Sequence, residues 1–200
     1  GRTGTKLEVE DLAILHRKCK NVRSVKEATG DLERMAKTRT LLGEGFDILS
    51  GDDDKTYEMM VRGDIRSSGV VSVISNIVPG PIGEMVKAIL EGDMERANRL
   101  KNVLDPLFKV VTVNTVESYE GFEVPAKFRN PLAIKTMMKG LGLPSGPCRP
   151  PLGKMTSKGV EVVRNALKEA YEKDRGVLMP TQDFYKVNIE ERLSNDKYWK

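Results

Sequence analysis

The first 92 residues alternate between two hydrophobic periods. In some segments apolar residues recur every three or four positions, which indicates amphipathic helices, and short β-branched runs separate these segments. Helices are predicted over 8–20, 32–42 and 57–61, and strands over 22–29, 46–53 and 70–78. A regular alternation of helices and strands is typical of βαβ units around a parallel sheet. The sequence therefore predicts an α/β fold with three strands in this part of the chain.

The pattern changes after residue 79, where only helices are predicted. They cover 81–90, 94–111, 132–141 and 157–171. Pro106 is expected to kink the second of them, and Thr156 or Ser157 to cap the last. Residues 176–200 contain aromatic side chains without a clear period. The chain is thus divided into 1–92, 93–175 and a tail, 176–200.

Composition and charge exclude several classes of protein. The chain has 200 residues, 39% of them hydrophobic, and its longest apolar runs are far shorter than the roughly 20 residues of a membrane helix. The formal net charge is +4, but basic and acidic residues are interleaved throughout, which argues against a nucleic-acid surface. Cys19 and Cys148 lie far apart and are interpreted as free thiols. We therefore expect a cytoplasmic protein that binds neither membranes nor nucleic acids.

One lysine lies inside a predicted strand. Period-2 alternation places Lys26 on one face with Val22, Ser24 and Ala28. Desolvation of a lysine inside a barrel favours the neutral amine, which is a nucleophile toward carbonyl carbons. A strand lysine can also protect a sheet edge or lie at the surface. Its position alone leaves these three interpretations open.

Five motifs share their order and spacing with a known enzyme family. They are KEATGD at 26–31, LSGDDD at 49–54, GVVSVISN at 69–76, FRNPLAIK at 128–135 and PCRPPLGKM at 147–155. Together they resemble the dihydrodipicolinate synthase family, and the resemblance extends over residues 1–173. Related pyruvate aldolases, such as N-acetylneuraminate lyase and the keto-deoxy-gluconate aldolases, share the barrel and the lysine. The first two motifs are more similar to the synthase branch.

The resemblance implies a specific fold. Residues 1–92 would form the last three strand–helix units of a (β/α)8 TIM barrel, and 93–175 an α-helical C-terminal domain. Three strands cannot close such a barrel, which needs eight. We therefore expect that an N-terminal half of the barrel has been removed before Gly1.

The resemblance also implies a reaction. Lys26 would form a Schiff base with pyruvate, which then condenses with L-aspartate 4-semialdehyde to 4-hydroxy-tetrahydrodipicolinate in lysine and diaminopimelate biosynthesis. No metal and no organic cofactor is implied, and the complete enzyme would be a homo-oligomer, commonly a tetramer. The alternatives are another pyruvate-dependent aldolase, or an inactive half-barrel that serves as an assembly module.

Three further site residues follow from the resemblance. Arg2 would hold the semialdehyde carboxylate, Gly51 would bring its backbone close to the substrate, and the backbone of Val71 would contact pyruvate. The family's catalytic tyrosine and threonine pair belong upstream of Arg2, outside this sequence. The run Asp52–Asp54 is interpreted as a helix cap rather than a metal site. These assignments remain expectations, because the sequence alone does not place the residues together.

Overall fold

The computed structural model describes residues 4–200. By the density of its internal contacts the chain divides into two compact units: unit 1 extends to Ser72, and unit 2 runs from Val73 to Lys200. The division predicted from hydrophobic patterning, at residues 92 and 175, rests on element type rather than on compactness and stays a prediction. Each unit is described separately below.

Unit 1 alternates helices and strands, as predicted. Its elements are α1 (Val9–Lys18), β1 (Ser24–Glu27), α2 (Leu32–Leu42), β2 (Asp47–Ser50), α3 (Thr56–Val61) and β3 (Gly69–Val70). The three strands form one parallel sheet in the order β1-β2-β3, with Lys26 opposite Leu49 and Leu49 opposite Gly69. Because successive side chains of a strand point to opposite faces of the sheet, Val25 and Ile48 lie on the face opposite these residues. The sheet therefore has one face toward the helices and one face that carries Lys26.

The helix-side face of the sheet packs into the core of unit 1. Leu12 from α1, Met35 from α2, Met59 from α3 and Ile48 from β2 all belong to one buried cluster, which Phe46 and Ile65 complete. Burial of each large apolar side chain contributes about 1.5–3 kcal/mol to folding. Leu12 and Met35 were predicted to face inward by their helical spacing, whereas Leu41 and Val61, predicted in the same way, are 49% and 38% exposed.

The third predicted strand is much shorter than expected. The prediction over 70–78 is wrong beyond Val70, because a 3₁₀ turn at Ile74–Asn76 replaces the strand. Ile74, Ile77 and Val78 are nonetheless buried. β-Branched residues favour half-buried surfaces in general, and here packing satisfies that preference without a hydrogen-bonded ladder.

A buried arginine joins the loops of unit 1. Arg39 is 7% exposed, and its guanidinium donates to four backbone carbonyls. Its Nε donates to Ile65 O at 2.9 Å, and its Nη1 to Gly43 O at 2.6 Å and Phe46 O at 2.8 Å. The fourth bond, from Nη2, reaches Arg66 O at 3.1 Å. One side chain thereby fixes the segments that precede β2 and β3.

Unit 2 consists mainly of helices. They are α4 (Pro79–Glu91), α5 (Met94–Phe108), α6 (Leu132–Leu141), α7 (Ser157–Lys173), α8 (Met179–Tyr185) and α9 (Ile189–Ser194). Pro106 lies inside α5, which ends at Phe108. The hydroxyl of Thr156 accepts from Gly159 N at 3.2 Å, which confirms the predicted cap of α7. No helix among residues 4–200 is long and apolar enough to cross a membrane.

The prediction of helices alone after residue 79 is wrong in one place. Strands β4 (Val113–Tyr119) and β5 (Phe122–Phe128) form an antiparallel hairpin, with Tyr119 opposite Phe122. The linking residues Glu120 and Gly121 have φ values of 49° and 83°, as a type I′ turn requires. Pro125 in β5 obscured the strand in the sequence, since proline removes a ladder donor.

The tail, residues 176–200, which has no clear hydrophobic period in its sequence, is also ordered. Trp199 is 8% exposed and lies against Gly140 of α6, where an added Cβ would come within 2.5 Å of the indole ring. The indole Nε1 donates to Arg192 O at 2.7 Å, and Arg192 Nη1 donates to Gly140 O at 3.1 Å. Because residue 140 is a glycine, the Trp199 side chain of the tail fits against α6. The spacing of hydrophobic residues in the sequence does not indicate this contact.

We expect Arg39→Met to lower the free energy of unfolding by about 2–4 kcal/mol, because buried carbonyls lose their donors. Urea titration followed by circular dichroism measures this. Arg99→Met, at an exposed position on α5, is the control and should change the stability by less than about 0.5 kcal/mol. Equal effects of the two substitutions would contradict the role assigned to Arg39.

Candidate functional site

Lys26 lies on the open face of the parallel sheet. Its neighbours on that face of β1, Ser24 and Ala28, are exposed like Lys26 itself, whereas Glu27 is buried on the helix side. Parallel sheets usually have both faces covered. The carboxyl ends of parallel strands are also where barrel enzymes build their sites. The geometry thus presents one amine at the expected end of an uncovered sheet face.

Gly51 lies in contact with the Lys26 side chain. A Cβ at position 51 would be 2.8 Å from Lys26 Cε, 2.7 Å from Ala28 Cβ and 3.0 Å from Glu27 O. The Gly51 amide donates to Glu27 O at 2.7 Å, which continues the β1–β2 pairing past the end of β2. A side chain would therefore displace the lysine or separate the strands. The structure brings together these two residues, which the sequence motifs had paired only by resemblance.

Val71 directly follows β3, as Gly51 directly follows β2. Its amide donates to Ser50 O at 2.7 Å, and its side chain is 43% exposed. The three strand ends thus carry Lys26, Gly51 and Val71 in neighbouring positions of one sheet. Arg2, the fourth predicted site residue, lies outside the described residues.

The acidic run after Gly51 does not cap a helix as predicted. Asp52 precedes a 3₁₀ turn without a side-chain cap bond, and α3 begins after Lys55. Asp53 is buried, and its carboxylate accepts a hydrogen bond from the Ser72 hydroxyl. The run instead links the loops that follow β2 and β3. Within residues 4–200 no group of three His, Cys, Asp or Glu side chains is arranged to hold a metal ion.

Asp52 has a perturbed carboxyl group. Burial raises its pKa above the ordinary value, and the nearby charges of Asp54, Asp53 and Glu27 raise it further. The ammonium of Lys26 acts in the opposite direction. Asp52 therefore interacts electrostatically with Lys26 and carries a charge in an unfavourable place. Perturbed carboxyl groups of this kind are concentrated at functional sites.

Two buried polar arrangements beneath the site were missed in the sequence. Ser50 and Thr56 are fully buried, and their hydroxyls are 3.0 Å apart. Glu27 is 5% exposed; it accepts from Thr29 N at 3.1 Å and lies 3.4 Å from Arg34 Nε. A signal was available, since alternation assigns both Glu27 and Ser50 to the helix-side face, where polar residues are unusual.

The cavities described for the chain lie elsewhere. A groove of about 610 Å³ in unit 2 is lined by α7 residues and by the tail, including Arg164, Lys168 and Trp199. Of the predicted site residues that the structure describes, Lys26, Gly51 and Val71 do not line it. The candidate site is therefore identified by strand ends and side-chain contacts rather than by an enclosed pocket.

Comparisons with known proteins give a consistent relationship. A family model described as the Dihydrodipicolinate synthetase family matches residues 1–170. The 4-hydroxy-tetrahydrodipicolinate synthase of Thermoanaerobacter sp. (strain X514) is 34% identical over 168 residues, which cover 84% of this chain and 51% of that protein. The Aquifex aeolicus (strain VF5) protein of the same name is 33% identical, with the same coverage. The chain spans about half the length of the curated relatives it matches.

Solved structures agree with this relationship. Dihydrodipicolinate synthase from Aquifex aeolicus superimposes with a TM-score of 0.69 at 31% identity, over 86% of this chain and 52% of that one. The 4-hydroxy-tetrahydrodipicolinate synthase from Methylacidiphilum fumariolicum SolV gives a TM-score of 0.70 at 30% identity, over 88% and 52%. These proteins are (β/α)8 barrels, and the match covers about half of each. The predicted fold class, the C-terminal part of a barrel followed by a helical region, is confirmed.

Gly51→Ala should lower the free energy of unfolding by about 1–3 kcal/mol, because the new methyl group overlaps Ala28 and the Glu27 carbonyl. Gly45→Ala is the matched control, since its Cβ would meet nothing within 4 Å. Denaturant titration of both variants measures the difference. A Gly51→Ala variant as stable as the control would show that β1 and β2 are not held at this distance.

Asp52→Asn should stabilise the chain at neutral pH by less than about 1 kcal/mol, after allowance for solvent screening. A raised carboxyl pKa means that the native state binds its proton more tightly than the unfolded chain, so ionisation costs stability above that pKa. The gain should disappear as the pH falls through the raised pKa toward 3.8, the ordinary value.

Asp64→Asn should change the stability in the opposite direction and serves as the comparison. A hydrogen bond from Arg62 lowers the pKa of Asp64, so this substitution should destabilise the chain at neutral pH. Unfolding titrations at neutral and acidic pH distinguish the two carboxyl groups. A loss of stability in Asp52→Asn at neutral pH would contradict the unfavourable charge.

Proposed function

The chain belongs to the dihydrodipicolinate synthetase family, and from this we propose that it carries the imine-forming lysine, Lys26, of a pyruvate-dependent lyase. The observation that carries the proposal is the contact between Lys26 and Gly51 at the carboxyl end of two parallel strands.

The proposed chemistry uses the amine of Lys26 directly. Its Nζ attacks the keto carbon of pyruvate and water leaves, which gives a protonated imine. The imine withdraws electrons, so a methyl proton of pyruvate is lost and an enamine forms. The enamine carbon then bonds to the aldehyde carbon of L-aspartate 4-semialdehyde. The aldehyde oxygen takes up a proton and becomes the 4-hydroxyl group. The amino group of the semialdehyde portion then attacks the imine carbon and displaces the Lys26 amine, which closes the ring of 4-hydroxy-tetrahydrodipicolinate.

The other predicted residues have proposed roles around this amine. The bare backbone at Gly51 and the peptide of Val71 would border the bound keto acid. The Arg2 guanidinium would bind the carboxylate of the semialdehyde through two parallel hydrogen bonds. The half-buried carboxyl group of Asp52, on whose pKa the Lys26 ammonium acts, would lie near the reacting amine. We propose that the complete protein acts in the cytoplasm as a homo-oligomer and needs no cofactor.

A second hypothesis is supported by the exposure of Lys26 and by the position of β1 at the edge of the sheet. The Lys26 face is open, and β1 is the edge strand of the sheet that residues 4–200 form. Such an edge can pair with another polypeptide. Under this hypothesis the chain is an assembly module that acquires activity only with a further β-sheet segment. Another pyruvate aldolase activity, of the N-acetylneuraminate lyase or keto-deoxy-gluconate type, is distinguished by offering those sugar acids in place of the semialdehyde.

Borohydride trapping tests the proposed function. Incubation with pyruvate followed by reduction should attach the pyruvyl carbons irreversibly to Lys26, as peptide mass spectrometry would locate. Lys26→Arg, which keeps the positive charge but forms no stable imine, should remain unmodified. An adduct spread evenly over surface lysines would contradict the assignment. An adduct that forms only when the rest of the barrel is supplied would favour the assembly hypothesis.

A further inference from the structure

We propose that the buried hydroxyl groups of Ser50 and Thr56 are positioning groups that hold the Gly51–Asp52 turn against Lys26. The inference rests on the proposed function of Lys26 and deepens it. It assigns a role to two residues that lie on the helix side of the sheet and touch no substrate.

The two hydroxyls form a directed chain of hydrogen bonds. Ser50 Oγ lies 2.9 Å from Asp52 O, and Thr56 Oγ1 lies 3.0 Å from Ser50 Oγ and 3.2 Å from Asp52 O. Each hydroxyl has one proton to donate. If Ser50 donates to the Asp52 carbonyl and Thr56 donates to Ser50, both protons are used. The chain then ends at the backbone of the residue that follows Gly51.

The burial of these hydroxyls needs a reason. Ser50 is 0% and Thr56 1% exposed, as deeply buried as the apolar residues Ile48 and Met59. A hydroxyl costs free energy at such a site unless it is hydrogen-bonded, and alanine or valine would fill the space without that cost. The acceptors of both hydroxyls lie in the segment Ser50–Asp52. Their contribution is therefore specific to the shape of this turn.

The turn is tied on both sides of Gly51. Before it, Ser50 pairs with Glu27 of β1 and Val70 of β3. After it, the hydroxyl chain fixes the carbonyl of Asp52. With both neighbours fixed, the Gly51 amide stays on Glu27 O at 2.7 Å and the Gly51 backbone stays against Lys26 Cε.

Loss of the Thr56 hydroxyl should release one side of this arrangement. Ser50 Oγ would lose the donor that holds it in place on the Asp52 carbonyl, and Gly51 could rotate away from Lys26. The half-buried carboxyl of Asp52 would move with it. The consequence is a change at Lys26 caused by a residue on the opposite face of the sheet.

Three variants separate positioning from general stability. Thr56→Val removes the hydroxyl and keeps the side-chain shape, whereas Thr56→Ser keeps the hydroxyl. Ser67→Ala is the matched control: Ser67 is also buried, and its hydroxyl bonds to Ile48 O at 2.7 Å and Gly69 O at 3.0 Å, away from the turn. The control removes a comparable hydrogen bond from the same sheet.

The first readout is hydrogen exchange at the Gly51 amide of the full chain, relative to amides of α2, which report opening of the unit as a whole. Thr56→Val should raise this relative exchange about three- to tenfold, as loss of one buried hydrogen bond implies. Thr56→Ser should remain near the wild-type rate, and Ser67→Ala should leave the ratio unchanged. The second readout is the rate of pyruvate trapping at Lys26, which should fall by a similar factor in Thr56→Val alone.

The two readouts fail independently. An unchanged exchange ratio at Gly51 in Thr56→Val overturns the positioning role, whatever happens at Lys26. Equal losses of trapping in Thr56→Val and Ser67→Ala overturn it too, because they would reflect stability alone. No trapping in the wild-type chain, either alone or with the rest of the barrel supplied, overturns the proposed function, whereas the exchange comparison still decides whether the hydroxyls hold the turn.

Discussion

The candidate site depends on one steric constraint: there is no room for a side chain at position 51. Lys26 Cε, Ala28 Cβ and the Glu27 carbonyl all lie within 3.0 Å of the place where a Cβ would be. Parallel pairing of β1 and β2 sets this separation, and the hydrogen bond from Gly51 N to Glu27 O maintains it past the last ladder residue. The position of the lysine is thus a consequence of backbone geometry in two adjacent strands.

Unit 1 holds this geometry with buried polar groups as well as with its apolar core. Arg39 fixes the entry to β2 and β3, the Ser50–Thr56 hydroxyls fix the exit from β2, and Glu27 with Arg34 fixes the exit from β1. Each such group must be fully hydrogen-bonded to avoid a net cost. Arg34 Nε departs from this rule, because it is buried 3.4 Å from Glu27 and has no hydrogen-bond partner among the described residues. Asp52 departs from it as well, since its raised pKa reflects a charge that burial disfavours.

Much of the fold could be predicted from the sequence, because it follows from local periodicity. The helices α1, α2, α6 and α7 and the strands β1 and β2 lie within or near the segments that their apolar spacing predicted. The missed elements have tertiary causes. Ile74 and Val78 are buried without strand pairing, and the β4–β5 hairpin contains a proline that a strand prediction penalises.

The site was predictable only in part. Lys26, Gly51 and Val71 were named from family motifs, and the structure places them at adjacent strand ends, whereas their roles stay predictions. The Ser50–Thr56 pair could not be read from spacing, because a hydrogen bond between residues six positions apart depends on the turn between them. Period-2 alternation did place Ser50 on the buried face, so a polar residue at a core position was the available signal.

The packing of Trp199 on Gly140 gives the chain an internal optical probe. Trp199 is the single tryptophan in the sequence, and its indole is almost completely shielded from solvent by α6 and the tail. Its emission therefore reports on the docking of a segment that begins beyond the family match at residue 170. Unfolding followed by this fluorescence records unit 2, while far-ultraviolet dichroism records both units. A difference between the two transitions would measure how independently the two units unfold.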